Sequence, residues 1–227
     1  MNKEINIMDI KDNVLRKYLE NVYIIGGNAC SGKSTMSKLI AEKYGFILYK
    51  MDEHYEEHRK MANEINQPNM CYPRDDIFAF FNRPVLEYAN SLQNAIKEEV
   101  PMVLLDLIQL PKNKPIIADV LFTPIDIEDI IPKERAVFLT SNRELVESDY
   151  FNRPEKKDFC NCVMSFPNPT VSFENVFNVV DLINQREKAI IEASKYYSMA
   201  RKKDSKISDV VRCIEKHFGL LNDELLI

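Results

Sequence analysis

Residues 27–35 read Gly-Asn-Ala-Cys-Ser-Gly-Lys-Ser-Thr, an unbroken G-x-x-x-x-G-K-[ST] pattern, and no other stretch restricts the fold as much. Val22-Tyr23-Ile24-Ile25, β-branched and aromatic, predicts a buried strand stopped by Gly26-Gly27. Met36, Leu39 and Ile40 stand at i, i+3, i+4 after the loop and predict a helix, with Gly45 placed as its left-handed cap. Strand, glycine loop and helix in that order make a phosphate cradle. Glycines let successive backbone N–H groups turn inward, and the helix N-terminus adds its positive end. Lys33 supplies an ammonium for the outer phosphates and Ser34 a hydroxyl for Mg²⁺. The chain has five glycines, and three of them are at 26, 27 and 32, so a chance match of the pattern is disfavoured.

The rest of the chain alternates strand and helix patterns, which predicts α/β architecture: a parallel sheet of about five strands with helices on both faces. A short leading helix is expected over 8–20 and a second strand over 46–49, with Asp52 just past its end. Pro68, Pro73 and Pro84 divide a helical and irregular stretch from Glu53 to Glu99. Pro101 to Ile108 reads as either a short helix or a strand, the helix favoured, with Pro101 in its first turn. Strands follow over 115–120 and 136–139. Ser141-Asn142-Arg143-Glu144 has the spacing of a capping box, opening a helix that ends before Pro154. Residues 154–175 read as loop, Val176-Phe177-Asn178-Val179-Val180 as the last strand, and 181–200 and 206–218 as C-terminal helices. Phe-Asn-Arg-Pro occurs at 81–84 and again at 151–154, in unlike flanks that suggest coincidence.

With 227 residues, 45% hydrophobic and 29% charged, the chain reads as a single domain over 1–227 with a core at about 20–200. Its net charge of −5 gives no electrostatic footprint for nucleic acid, so none is expected as a partner. No apolar run is long enough to span a bilayer, and the mixed charge of the first residues is unlike a secretion signal. Five cysteines, an odd number without a Cys-x-x-Cys pair, suit a reducing compartment, and the expected location is cytoplasmic.

The segments Gly26–Thr35 and Leu48-Tyr49-Lys50-Met51-Asp52-Glu53-His54-Tyr55 resemble the small P-loop kinases of the nucleoside/nucleotide-kinase superfamily. Within it they are similar to bacterial AAA-type ATPase/kinase-like proteins and, more distantly, to uridine, shikimate and chloramphenicol kinases. The resemblance is specific over about residues 20–55 and loose over 115–155. It implies a three-layer P-loop NTPase fold, MgATP bound by Gly27, Asn28, Ala29, Cys30, Ser31, Gly32, Lys33, Ser34 and Thr35, and a helical lid at about 141–160.

By the same resemblance, Asp52 receives the proton of an attacking hydroxyl or helps hold Mg²⁺. Position favours this too, since a carboxylate past a parallel strand faces the ligand crevice; the alternative is an N-cap for a helix starting at Glu53. Asp119, ending an apolar strand, is placed as a Mg²⁺-orienting acid or else a strand-end turn residue. Arg143 and Arg153 fall where such enzymes carry lid arginines; the plain alternative is a solvated helix face, with Arg153 paired to Asp149. Arg59, Arg74 and Arg83 fall where such enzymes grip the acceptor.

His54-Tyr55-Glu56-Glu57-His58 also fits the H-x-x-E-H pattern of some zinc peptidases, but no third ligand is evident and the segment directly follows Asp52. The sequence therefore points to transfer of the γ-phosphoryl group of ATP to a small-molecule hydroxyl or phosphate. A nucleotide-driven switch without an acceptor is the alternative. Asn113-Lys114-Pro115-Ile116 lacks the aspartate of a guanine-reading N-K-x-D box, which disfavours a GTPase.

Overall fold

The computed structural model describes residues 12–221. In chain order these form α1 (Asp12–Tyr18), β1 (Val22–Gly27), α2 (Lys33–Tyr44), β2 (Ile47–Lys50), α3 (Met51–Met61), α4 (Ile77–Phe81), α5 (Val85–Gln109), β3 (Ile116–Asp119), β4 (Ala136–Thr140), α6 (Arg143–Asp149), α7 (Lys157–Met164), α8 (Pro169–Ala193), β5 (Tyr197–Ala200) and α9 (Ile207–His217). The first part of the expected leading helix lies outside the described residues.

The five strands make one parallel sheet in the order β2-β3-β1-β4-β5. Side chains alternate across it, as the period of two requires. Val22, Ile24, Tyr49, Ile116, Ala118, Ala136 and Phe138 face one side, where Val103 and Leu107 of α5 and Ile191 of α8 close over them. Ile25, Ile117, Val137 and Leu139 face the other, against Met36 and Ile40 of α2, Ile214 of α9 and Phe218 just past its end. This is the three-layer P-loop architecture expected. Every strand of β1, β3 and β4 is covered on both faces, so these segments read as continuous apolar runs rather than alternating ones. The chain passes from β1 to one side of the sheet through β2 and β3, then to the other side at β4. That reversal opens a crevice beyond the carboxyl end of β1, where the glycine loop begins.

Four expectations change. Residues 154–175 are not a loop, and Val176–Val180 is not a strand: α7 fills part of the first, and both run into the 25-residue helix α8. Pro169 stands in its first turn, and its buried positions Ser172, Val176, Val179, Val180, Ile183, Glu187 and Ile191 recur at helical spacing. The β-branched valines satisfied the strand pattern locally, whereas burial against α5 selects the helix. Consequently the last strand is β5, and the helix expected over 181–200 stops at Ala193. β5 lies at the sheet edge with mostly exposed side chains, which removes the apolar run by which a strand is recognised.

The other two changes concern helix ends. The cap of α6 is Asn142, whose side chain accepts from the Leu145 amide, and not Ser141, whose hydroxyl points into the phosphate loop. Pro101 lies deep inside α5 rather than in the first turn of a separate helix. It is exposed, as is Lys97, whose carbonyl it leaves without an N–H partner. A proline in a helix interior still costs stability, partly offset by its stiffening of the unfolded chain. Pro101→Ala is expected to stabilise the protein by about 2 kcal/mol in urea unfolding; an unchanged or lower midpoint contradicts a continuous α5.

Candidate phosphate-binding site

At the end of β1 the backbone of Gly27 has φ +104°, and a Cβ there would lie 2.2 Å from the Leu139 carbonyl oxygen of β4. Only glycine allows this contact. The loop then leaves the sheet in steps. The Gly27 amide donates to Phe122 O at 3.2 Å, Asn28 to Leu139 O at 2.9 Å, and Ala29 to Asn184 Oδ1 at 3.2 Å. Cys30 turns with φ +60° and Gly32 with φ +92°, bringing the chain into α2. Among the described residues, the amides of Cys30, Ser31, Gly32, Lys33 and Ser34 meet no acceptor of the chain. Five successive donors at a helix N-terminus form an anion cradle.

Lys33 is buried, and its ammonium donates to Asn28 O at 2.7 Å, across the mouth of the loop. Ser31 Oγ donates to the same oxygen at 2.8 Å. Thr35 is exposed one residue past Ser34. Asp119, paired in register with Ile25 of β1 and Lys50 of β2, lies on the α2 side of the sheet. Its carboxylate lies near enough to the Ser34 hydroxyl and the Lys33 ammonium for both to act on its charge. Burial pushes its pKa above the usual carboxylate value, and the Lys33 charge and the Ser34 hydroxyl act the other way. Asp52 is exposed in the first turn of α3, close enough for its charge to act on Asp119 and on Glu99. α3 starts at Met51 with Lys50 at its cap, so Asp52 is not the N-cap.

Four residues distant in sequence brace the loop from behind, and no sequence pattern identified these contacts. Asn184 of α8 accepts from Ala29 N and donates to Ser141 Oγ at 3.0 Å, while Ser141 donates to Ala29 O at 2.6 Å. Glu187, one turn further along α8 and buried, accepts from Asn28 Nδ2 at 2.8 Å. Arg201, just after β5, donates to Cys30 O at 2.7 Å and pairs with Asp149 of α6 at 2.7 Å. These partners lie 112 to 171 residues from the loop. A motif scan sees local order only, so the one sequence signal was polar residues on the buried face of α8.

The two arginines placed in the lid part company. Arg153 reaches the loop, donating to Cys30 Sγ at 3.5 Å with its guanidinium 5.4 Å from the centre of the Tyr150 ring. Arg143 turns away. Its three guanidinium nitrogens donate to Glu147, to Asn178 at 2.7 Å and to Glu174 at 2.8 Å, fastening α6 to α8. The Cys30 thiol is buried, and burial pushes its pKa up despite the nearby Arg153.

Beyond Asp52 the residues expected to face an acceptor are largely committed to structure. Arg59 donates to Met70 O at 3.2 Å, and Arg74 to Tyr55 Oη at 3.1 Å and Glu56 at 3.4 Å. Arg83 is buried with its guanidinium 4.2, 4.4 and 4.4 Å from the centres of Tyr72, Phe80 and Tyr88, an enclosure of rings that fixes the α4–α5 corner. In the H-x-x-E-H segment, His58 is buried with both ring nitrogens occupied, by Glu99 at 2.8 Å and Asp106 at 2.9 Å. His54 stacks on Tyr49, ring centres 4.7 Å apart. Burial pushes Glu99 up to about 7, His58 acting against it. Among the described residues no group of three or more His, Cys, Asp or Glu side chains could hold a metal ion. Two surface cavities, of about 510 and 540 Å³, lie along α8 near Asn82 and between α2 and α9. Neither touches the loop; both are grooves between helices, whereas the phosphate cradle is made of backbone donors.

The chain matches no protein-family model and no curated protein. Solved structures similar to it include shikimate kinase from Acinetobacter baumannii in complex with shikimate, 16% identical, with 93% of this chain and 99% of that chain covered and a TM-score of 0.41. They also include deoxyadenosine kinase from M. mycoides with bound dCTP, 13% identical, covering 88% of this chain and 99% of that chain at a TM-score of 0.33. At these identities and scores the likeness bears on no residue's role, and among the described residues no helix is long and apolar enough to cross a membrane.

A buried carboxylate with a raised pKa opposes folding once it ionises. Below its ordinary value of 3.8 Asp119 is protonated folded or unfolded and nothing is lost; the penalty grows as pH rises toward the folded-state pKa and is complete above it. Asp119→Asn should therefore raise the melting temperature of the ligand-free protein at pH 7 and have little effect near pH 3. A melting temperature lowered at pH 7 but not near pH 3 would mean instead that the carboxylate is stabilised as an anion.

Proposed function

We propose that this protein transfers the γ-phosphoryl group of ATP to a hydroxyl or phosphate of a small molecule. The observation that carries the reading is the row of amides from Cys30 to Ser34, without an acceptor in the described chain, at the head of α2 with Lys33 among them. A polyphosphate chain matches that set: it offers successive anionic oxygens to N–H groups fixed in direction before it arrives. Lys33 then exchanges the Asn28 carbonyl for a phosphate oxygen and stabilises the charge that spreads over it during transfer.

Ser34 and Asp119 are hard oxygen donors near one another, which fits Mg²⁺ with the rest of its shell supplied by phosphate and water. That ion supplies neutralisation of phosphate charge when bound. Asp52, across from Asp119 and open to solvent, is the carboxylate placed to receive the proton of an acceptor hydroxyl. Arg153 and Arg201 are arginines in contact with the loop; Arg201 is held in place by Asp149, and Arg153 sits on the 141–160 segment that would close as a lid. Arg143 fastens that segment to α8.

Transfer to an acceptor is read by ADP release in a panel of hydroxylated metabolites, nucleosides and nucleoside monophosphates. One compound is expected to stimulate ADP release at least tenfold, whereas slow hydrolysis indifferent to every addition favours a nucleotide-driven switch. Lys33→Ala should lower turnover by 10²-fold or more. Asp52→Asn should lower transfer 10²- to 10⁴-fold while leaving the Kd for ATP within a few-fold; unchanged transfer removes Asp52 from the role of base.

The two lid arginines should separate in the same assay. Arg153→Ala is expected to lower kcat with little change in the unfolding midpoint. Arg143→Ala should do the reverse, since it breaks the α6–α8 fastening. A kcat loss confined to Arg143→Ala would exchange these assignments.

A further inference from the structure

Glu187 is a buried carboxyl group that the transfer reaction, as described above, does not use. It stands on α8, and its carboxylate accepts from Asn28 Nδ2 at 2.8 Å, directly beneath the phosphate loop. The carbonyl of that same Asn28 holds the Lys33 ammonium at 2.7 Å. One residue of the loop thus joins the charge that meets phosphate to a second charge buried behind it. We propose that Glu187 is a positioning residue of the phosphate loop, acting through Asn28, and that it takes up a proton when a nucleotide polyphosphate settles in the loop.

The inference rests on the phosphate-loop reading, and its sign follows from electrostatics. The charged groups acting on Glu187 are Lys33 of α2, which favours the anion, and Asp126 of the turn after β3, which opposes it. Burial is the largest influence and pushes its pKa up to about 7, toward the range in which a nearby charge can change its protonation. A bound polyphosphate brings several negative charges to the other side of Asn28 and draws the Lys33 ammonium toward itself. Both changes disfavour the ionised carboxylate in a medium of low dielectric. The proton comes from solvent and no bond other than the new O–H is made.

Asn28 is equipped to answer either form. As drawn, its Nδ2 serves the carboxylate, and its buried Oδ1 meets no donor among the described residues. Half a turn of the amide presents Oδ1 to the protonated acid. By reciprocity, protonation of Glu187 strengthens nucleotide binding by the factor by which binding favours the proton.

The experiment is calorimetric titration of ADP with Mg²⁺ into the full chain at pH 7.5, in buffers of different ionisation enthalpy, for the wild type and Glu187→Gln. The nucleotide's own protonation is common to both proteins and cancels in the difference. Wild type is expected to take up more protons per ADP than Glu187→Gln, by a sizeable fraction of one, and to lose affinity severalfold more between pH 6 and pH 8.5. Glutamine keeps the acceptor for Asn28, so the variant should bind ADP at pH 6 within a few-fold of wild type. Equal proton uptake in the two proteins overturns the proposal. Absence of ADP binding by wild type removes instead the phosphate-loop reading on which it depends. Should Glu187→Gln not fold, infrared difference spectra of wild type labelled with ¹³C-glutamate give the same answer: a carboxylate band lost on adding ADP supports the proposal, and an unchanged band overturns it.

Discussion

The meeting of Gly27 with the Leu139 carbonyl is the contact on which the rest of the site depends. β1 is the central strand, flanked by β3 and β4, and its end has to turn sharply beside β4 without leaving hydrogen-bonding groups unmatched. With no Cβ at residue 27, the amides of Gly27 and Asn28 are satisfied by Phe122 O and Leu139 O. From that anchorage the next residues curl rather than extend, and the donors from Cys30 onward are left facing outward. A methyl group at residue 27 would displace the strand end and with it the whole row of amides.

α8 is the second support, and it explains why a chain with an ordinary loop motif needs so much helix after the sheet core. One 25-residue helix packs on α5, carries Ile191 into the sheet core, and presents Asn184 and Glu187 to the back of the loop. Rigid backing of this kind keeps a backbone cradle preorganised, so that little reorganisation accompanies phosphate binding. Its cost is electrostatic: Asp119 and Glu187 are both held with pKa values above those of free carboxyls, on opposite sides of the same loop. Such burdens are expected of a site shaped for a charged ligand.

The 141–160 segment shows how one residue type divides between the loop and the scaffold around it. Arg143 and Arg153 are separated by ten positions and were equivalent candidates by sequence. In the fold, Arg143 is surrounded by acceptors on α6 and α8, and Arg153 comes to Cys30. Arg201, which no pattern singled out, reaches the loop because edge strand β5 ends beside it. Arg83 shows the same division: its aromatic enclosure is built from residues 72, 80 and 88, which come together only when α4 and α5 pack.

The sequence by itself determined what depends on neighbours within a few positions. The β1–loop–α2 unit, the Gly45 cap with φ +69°, the apolar strands β3 and β4, and the amphipathic α9 were legible, because local sterics and the burial period act over one or two turns. Tertiary structure decided everything that local preference left balanced. The valines of 176–180 suit either a strand or a helix, and only packing against α5 chose the helix; β5, with nothing apolar to bury, became a strand only by pairing with β4. Asp119 was readable as a strand-end acid, yet its closeness to Ser34 and Lys33 is a product of sheet order, as is the reach of Glu187 and Arg201 to a loop more than 150 residues away. Hydrogen bonds and charges act through space, and the sequence records position along the chain.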